Sequence, residues 1–283
     1  GMGKQNGFTR LYCNLVKAGE VGGILDTILD KLSVHLEKQE KTKSQIKSAM
    51  SYPLIVSLIG AAVVWALITF VVPQFVGMLI ETGQELPAIT QFVIDVSDFC
   101  GAYSMYFVPG FVVVMMGISS WGKTPVGKIA IDNIMMRMPA FGTIVIKGNL
   151  SSFSRTLATL LGAGVSLIDA LEICVETIDN AVIARDIEDV KKKVIEGKTF
   201  TEPLLKIEYF PEMVGQMIKV GEQTGSIDNM LDKIANVFED EVDEAINAAT
   251  KLMEPIIIVV LGGIIATILV AIYLPMFMAG GGA

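Results

Sequence analysis

"KVGEQTGSIDNMLDKI" at Lys219–Ile234 decides the fold, because "KAGEVGGILDTILDKL" stands at Lys17–Leu32 of the same 283-residue chain. The offset is 202 residues without a gap, and Lys, Gly, Glu, Gly, Asp, Leu, Asp and Lys recur in identical order. A repeat of this kind marks an architecture in which one structural unit is used twice. Each copy has a helical pattern: Ile227, Met230, Leu231, Ile234 and Phe238 fall at i, i+3, i+4, i+7 and i+11, as do Leu25, Ile28, Leu29, Leu32 and Leu36. Gly19 and Gly221 suit the residue that follows a helix, where positive φ costs glycine little. Asp26 and Asp228 sit in the first turn of the next helix, where an acid favours the dipole. Each copy therefore predicts a helix-turn-helix corner.

The copying continues past the corner. Phe8 matches Phe210, Pro53 matches Pro255, Gly60 matches Gly262, Leu67 matches Leu269, Pro73 matches Pro275 and Phe75 matches Phe277. The repeated unit thus covers residues 8–77 and 210–279, a polar helix pair running into an apolar stretch. Composition agrees with a membrane protein: 52% of the residues are hydrophobic and mean hydropathy is +0.57. Three stretches, 54–76, 102–121 and 256–279, approach the ~20 residues a helix needs to cross the hydrocarbon. None contains Asp, Glu, Lys, Arg or His.

All 22 Lys and Arg lie in residues 1–53 and 122–255, while segment 77–101 carries only the acids Glu81, Glu85, Asp95 and Asp98. Cations near spans are retained on the cytoplasmic side, so the N-terminus and the region 122–254 are expected inside, with 77–101 and the C-terminus outside. The first 53 residues lack the apolar stretch of a cleavable signal peptide. Cys13 and Cys174 are then expected inside and Cys100 outside, which predicts no internal disulfide.

Further helices are legible between the spans. Residues 149–161 form one, followed by a turn at "GAGV" (162–165) and a capping box of Ser166 with Asp169 opening 167–177. Residues 180–196 end at Gly197, Thr199 with Glu202 suggests another box, Pro211 opens the helix before the corner, and a long helix runs from Ser226 to about Leu252. This makes a six-helix bundle. A matching first bundle would begin before residue 1, so the first copy is expected to be truncated, packing on the second bundle, on another subunit or on a missing piece. The fold class is an all-α polytopic membrane protein with three transmembrane helices and six-helix-bundle repeat domains. The parts are 1–53 (truncated first repeat), 54–121 (transmembrane hairpin with outer loop 77–101), 122–254 (second bundle) and 255–283 (third transmembrane helix and outer tail).

Enzyme chemistry finds no support. "GKTPVGKI" (122–129) has the Gly, four residues, Gly-Lys core of a phosphate-binding loop, but Ile129 replaces the Ser or Thr that holds magnesium, Pro125 interrupts the loop and Trp121 precedes it where a strand is required. It reads as a basic juxtamembrane turn with Lys123 and Lys128 near anionic headgroups. The one histidine, His35, has mixed Lys and Glu neighbours on a helix, and no Cys or His cluster has metal-ligand spacing. No catalytic, metal or cofactor residue and no nucleic-acid partner is expected.

"FSRTLATLLGAGVSLIDALEICVETIDN" (153–180), "FPEMVGQMIKVGEQTGSIDNMLDKI" (210–234) and "LPAITQFVIDVSDF" (86–99) resemble the inner-membrane platform proteins of type IV pilus and type II secretion machines. The resemblance implies two homologous cytoplasmic six-helix bundles with three spans and a mechanical role without an active site. Implied partners are a cytoplasmic hexameric ATPase, pilins or pseudopilins, other inner-membrane assembly proteins and membrane lipid, at the bacterial inner membrane. A homo-oligomer, first a dimer, follows from the family and from the unpartnered stripe of the first copy. The alternative is a small transporter or channel subunit, since repeats with spans also build transporters, but the spans offer no ionisable group.

Candidate interface residues are Gly19, Glu20, Gly23, Asp26, Arg155, Gly221, Glu222, Gly225 and Asp228. For the glycines, backbone geometry competes with partner contact. For the acids, helix capping is favoured over a basic partner surface, and Arg155 suits a pair inside the bundle or a contact with the ATPase.

Overall fold

The structure, a computed structural model, describes residues 16, 25–81, 87–139 and 141–280, and no strand occurs among them. Gly19, Glu20, Gly23 and Cys13 lie outside the described residues. The helices are α1 (Leu25–Ala66), continued by a π-helical turn (Leu67–Val71) into α2 (Val72–Glu81), then α3 (Ala88–Gly122), α4 (Pro125–Arg137), α5 (Phe141–Gly162), α6 (Leu167–Thr177), α7 (Ala181–Ile195), α8 (Thr201–Leu204), α9 (Glu212–Thr224) and α10 (Ile227–Gly280). The chain divides into two compact units, residues 1–47 with 122–249 and residues 48–121 with 250–283.

In the first unit, local sequence sets the helix ends. Thr124 Oγ1 accepts from Gly127 N at 3.1 Å with Pro125 at the first helical position, Ser166 Oγ accepts from Asp169 N, and Asn180 Oδ1 accepts from Val182 N and Ile183 N. Gly164 and Gly197 take positive φ at the ends of α5 and α7. Leu150, Phe153, Leu157, Leu171, Ile183, Ile187, Phe200, Ile218, Leu231, Ile234 and Phe238 make one core. Helix α5 is buried almost all round, which places it at the centre of this unit.

Leu32 of the first copy is buried in that same core, so α1 meets the first unit's other helices at this position. Two local expectations need correction. Thr199 does not cap α8, whose N-cap is Phe200 without a side-chain bond of its own. Gly221 does not follow a helix: α9 continues to Thr224 and Gly225, at φ 70°, closes it, with Ser226 N donating to Gly221 O at 2.9 Å. The left-handed residue is thus one turn later than the repeat pattern suggested.

In the second unit, Ser51–Phe75 is an apolar helical segment long enough to cross a membrane, and so is the apolar part of Ile227–Pro275. Leu54, Leu58, Ile59, Phe70, Ile256, Ile258 and Val259 are exposed, as residues that face lipid must be. Helices α4 and α5 jointly meet the same length and composition test. The apolar character of α5 is already accounted for by its burial in the first unit's core. Val72, Val93, Ile268, Ala271 and Ile272 form a small core within the second unit.

Candidate functional site

Arg155 projects from the centre of α5 and is 8% exposed. Its guanidinium reaches three side chains on one face of α10, at i, i+4 and i+7: it pairs with Asp232 Oδ1, Nη2 donates to Asn236 Oδ1 at 2.7 Å, and Nε and Nη2 donate to Glu239 Oε1 at 3.1 and 2.7 Å. From the other side, Lys38 Nζ of α1 donates to Glu239 Oε2 at 2.8 Å and to Asn236 Oδ1 at 3.0 Å. One polar cluster therefore ties α1, α5 and α10 together. A buried guanidinium is tolerated only when its donors are met, and the planar fork meets three acceptors at once here.

Arg155 is thus paired inside the first unit. The acids of the cluster were not singled out in the sequence, although Asp232, Asn236 and Glu239 at i, i+4 and i+7 beside an apolar stripe are a visible polar row. Asp232 and Glu239 have counterparts in Asp30 and Glu37 through the repeat. The two copies differ in burial: Leu231 and Phe238 are 0% and 1% exposed, while Leu29 and Leu36 are 39% and 45% exposed.

Glu222 is a cap supplied from another helix. Its Oε1 accepts from Phe200 N at 2.8 Å, and its Oε2 accepts from Thr201 N at 3.4 Å and from Thr201 Oγ1 at 2.7 Å. The start of α8 is satisfied by α9, which is why Thr199 is not needed. Glu222→Ala is expected to raise amide exchange at Phe200 and Thr201 by at least tenfold, matching a loss of about 1.5 kcal/mol. Unchanged exchange at these two amides in hydrogen–deuterium measurements would remove the cap assignment.

Gly221 is needed for space rather than for φ. A Cβ there would lie 3.0 Å from Ile227 Cα and 3.2 Å from Ser226 O, so α9 and the start of α10 meet backbone to backbone. Asp26 and Asp228 fall in the first turns of α1 and α10, as the dipole reading expects. The structure brings Gly221, Glu222 and Gly225 to one corner; Arg155 belongs to the separate cluster with α10.

A second polar feature lies in the apolar unit. Pro73 and Pro275, equivalent in the repeat, have no N–H to donate. In the π-helical turn the bond partner five residues before Pro73 is Ile68 O, and four residues before Pro275 in α10 is Ala271 O. Ser97 Oγ donates to Ile68 O at 2.6 Å and Thr90 Oγ1 donates to Ala271 O at 2.7 Å. Both hydroxyls are buried residues two turns apart on α3, so one helix fills the gaps left by both prolines. The sequence signal was present as a proline repeated inside two spans and two hydroxyls seven residues apart in an apolar helix.

A groove of about 850 Å³ in the first unit is lined by Arg137, Asp186, Asp189, Lys193, Lys206 and Tyr209 among others, with both signs of charge. Burial and the adjacent Asp186, to which Tyr209 Oη donates at 2.9 Å, push the Tyr209 phenol above its usual pKa. Burial alone pushes the Cys174 thiol up. Each folded-state value is raised, so the stability these groups contribute is intact below their unfolded values, about 8.5 for Cys and 10 for Tyr, and is lost as pH rises beyond. Chemical denaturation is expected to show stability falling above about pH 8.5, less steeply in Cys174→Ala. An identical alkaline limb in that variant would exclude the thiol as a cause. Among the described residues no three His, Cys, Asp or Glu side chains are grouped so as to hold a metal ion.

The described residues define an all-helical protein with segments long and apolar enough to cross a membrane, and with polar clusters that hold helices together. The type II secretion system protein F family matches residues 2–73 and 153–275, and the chain belongs to that family. It is 42% identical over 274 residues to the type IV pilus assembly protein PilC of Myxococcus xanthus, covering 97% of this chain and 66% of the relative. It is 40% identical over 277 residues to PilC of Thermus thermophilus, covering 98% and 68%, and 28% identical over 268 residues to the type II secretion system protein F of Vibrio cholerae, covering 95% and 66%. The chain spans about two thirds of the length of these relatives.

Proposed function

We propose that this protein is an inner-membrane platform of a type IV pilus or type II secretion machine, coupling a cytoplasmic hexameric ATPase to the assembly or retraction of pilins or pseudopilins. The observation that carries the reading is the family match over both repeat copies, together with relatives named for pilus assembly and type II secretion. Identity is higher to the two pilus assembly proteins than to the secretion protein from Vibrio cholerae, which favours a pilus. The proposed topology has 122–254 in the cytoplasm, 77–101 and the C-terminus outside, and α3 as a further span through 102–121. In support, the cations lie on one side of that scheme. Coupling is supported by α10, which supplies core residues Leu231, Ile234 and Phe238 at its start and an apolar span beyond Pro255.

In-cell crosslinking of the tagged chain followed by mass spectrometry tests this. Enrichment of a hexameric secretion ATPase and pilin-like proteins, with crosslinks on 122–254, is the expected result. Recovery of other copies of the chain without either partner would remove the platform role. A homodimer is the proposed assembly, since Leu29 and Leu36 leave apolar surface uncovered. Light scattering in detergent that gives a monomer mass at every concentration would exclude it.

A further inference from the structure

Helix α4 exposes a surface of unusual composition. It is held to the bundle by buried Gly127, by half-buried Ile131 and Met136, and by Asp132, whose Oδ2 accepts from Ala181 N at 2.8 Å. On one face Val126 is 74% and Ile134 60% exposed, with Ile129, at i+3 from Val126, also exposed. The cations Lys128 and Arg137 are exposed on the same helix and Lys123 is exposed in the turn before it, while the helix's single acid, Asp132, is the one turned to α7. A lone exposed apolar residue such as Ile195 on α7 is ordinary for a soluble surface. Three on one face of a short helix, with exposed cations on and beside it and no exposed acid, form a patch.

Two residues, Lys123 and Thr124, separate the end of α3 at Gly122 from Pro125. At about 3.5 Å per residue, Val126 cannot lie more than about 14 Å from the end of α3. If α3 ends where the hydrocarbon ends, that distance is within the headgroup layer. We infer that α4 is a membrane-surface helix, with Val126, Ile129 and Ile134 on one face seated in the inner leaflet and Lys123, Lys128 and Arg137 near anionic headgroups. This rests on the reading of α3 as a span. The physical terms are apolar area transferred into the interface and attraction of about 1 kcal/mol per cation near an anionic surface. The function follows from position: α4 packs on α5 and α7, so it would fix the bundle's footing on the bilayer.

The test uses the full chain in nanodiscs containing phosphatidylglycerol, with Cys13→Ser and Cys100→Ser and the buried Cys174 retained. A fluorophore is placed in turn on Val126→Cys, Ile134→Cys, Val113→Cys in α3 and Ile195→Cys in α7. Brominated acyl chains are expected to remove roughly half or more of the emission at 126, 134 and 113 and little at 195, while aqueous iodide acts in the reverse order. Quenching of 113 by lipid with 126 and 134 open to iodide would overturn the inference and leave the span standing. Shielding of 126 and 134 from both quenchers would mean that protein, a second copy or a partner, covers this face, and would overturn it as well. No lipid quenching at 113 would remove the span and the inference together.

Discussion

Arg155→Met is expected to destabilise the first unit by about 3 kcal/mol, because it leaves Glu239 largely buried with only Lys38 to answer it. The methionine keeps much of the side-chain volume, so the loss reports the polar cluster rather than a cavity. The partners should rank by burial. Glu239, the more enclosed acid, meets Arg155 through one oxygen and Lys38 through the other, and Glu239→Gln is expected to cost about 2 kcal/mol. Asp232 is 55% exposed on its side chain and Lys38 36%, so Asp232→Asn and Lys38→Met are each expected to cost under about 1 kcal/mol. Denaturant titration of the full chain in detergent, followed by a signal from the 122–249 region, gives these values, and an Arg155/Glu239 double-mutant cycle isolates the pair. A loss below about 1 kcal/mol for Arg155→Met would mean that the guanidinium is not an organising group and that contact with a partner has to be reconsidered.

Thr90→Val with Ser97→Ala is expected to destabilise the apolar unit by about 2 kcal/mol, each change stranding one carbonyl that no backbone amide can reach. Interhelical hydrogen bonds inside membranes are individually modest, so the sharper prediction is a coupling. In a Pro275→Ala background residue 275 regains its N–H, Ala271 O is met along α10, and Thr90→Val should become nearly neutral. Pro73→Ala should do the same for Ser97→Ala. The midpoint of denaturation by SDS in mixed micelles measures all of these. If Thr90→Val costs the same with and without Pro275, the hydroxyl is held for some other reason than the proline gap.

Most of the helix plan was open to reading in the sequence, since it depends on local rules. The capping box at Ser166, the cap at Asn180, the stop at Gly197 and two of the three apolar stretches, 54–76 and 256–279, lie where the chain's own spacing puts them. The α8 cap could not be read, because Thr199 and Glu202 offer a plausible local box while the actual acceptor, Glu222, is twenty-one residues from Thr201 and arrives only when α9 packs. The site candidates divide in the same way. Gly221 and Gly225 were visible as special positions, but which one carries the positive φ depended on where α9 ends.

What the sequence determined by itself is the repeat, the helical period of each copy and the division into polar and apolar lengths. These follow from 3.6-residue periodicity, glycine and proline backbone limits and the cost of charge in lipid, all of which act over a few residues. Tertiary structure alone decided what the repeat positions do. Leu231 and Phe238 are covered by the core around α5 while Leu29 and Leu36 are exposed, so equal sequence has unequal burial. Arg155 became an internal clamp, and Thr90 and Ser97 became donors to two distant carbonyls, because a buried polar group is satisfied by whichever neighbour packing brings within about 3 Å.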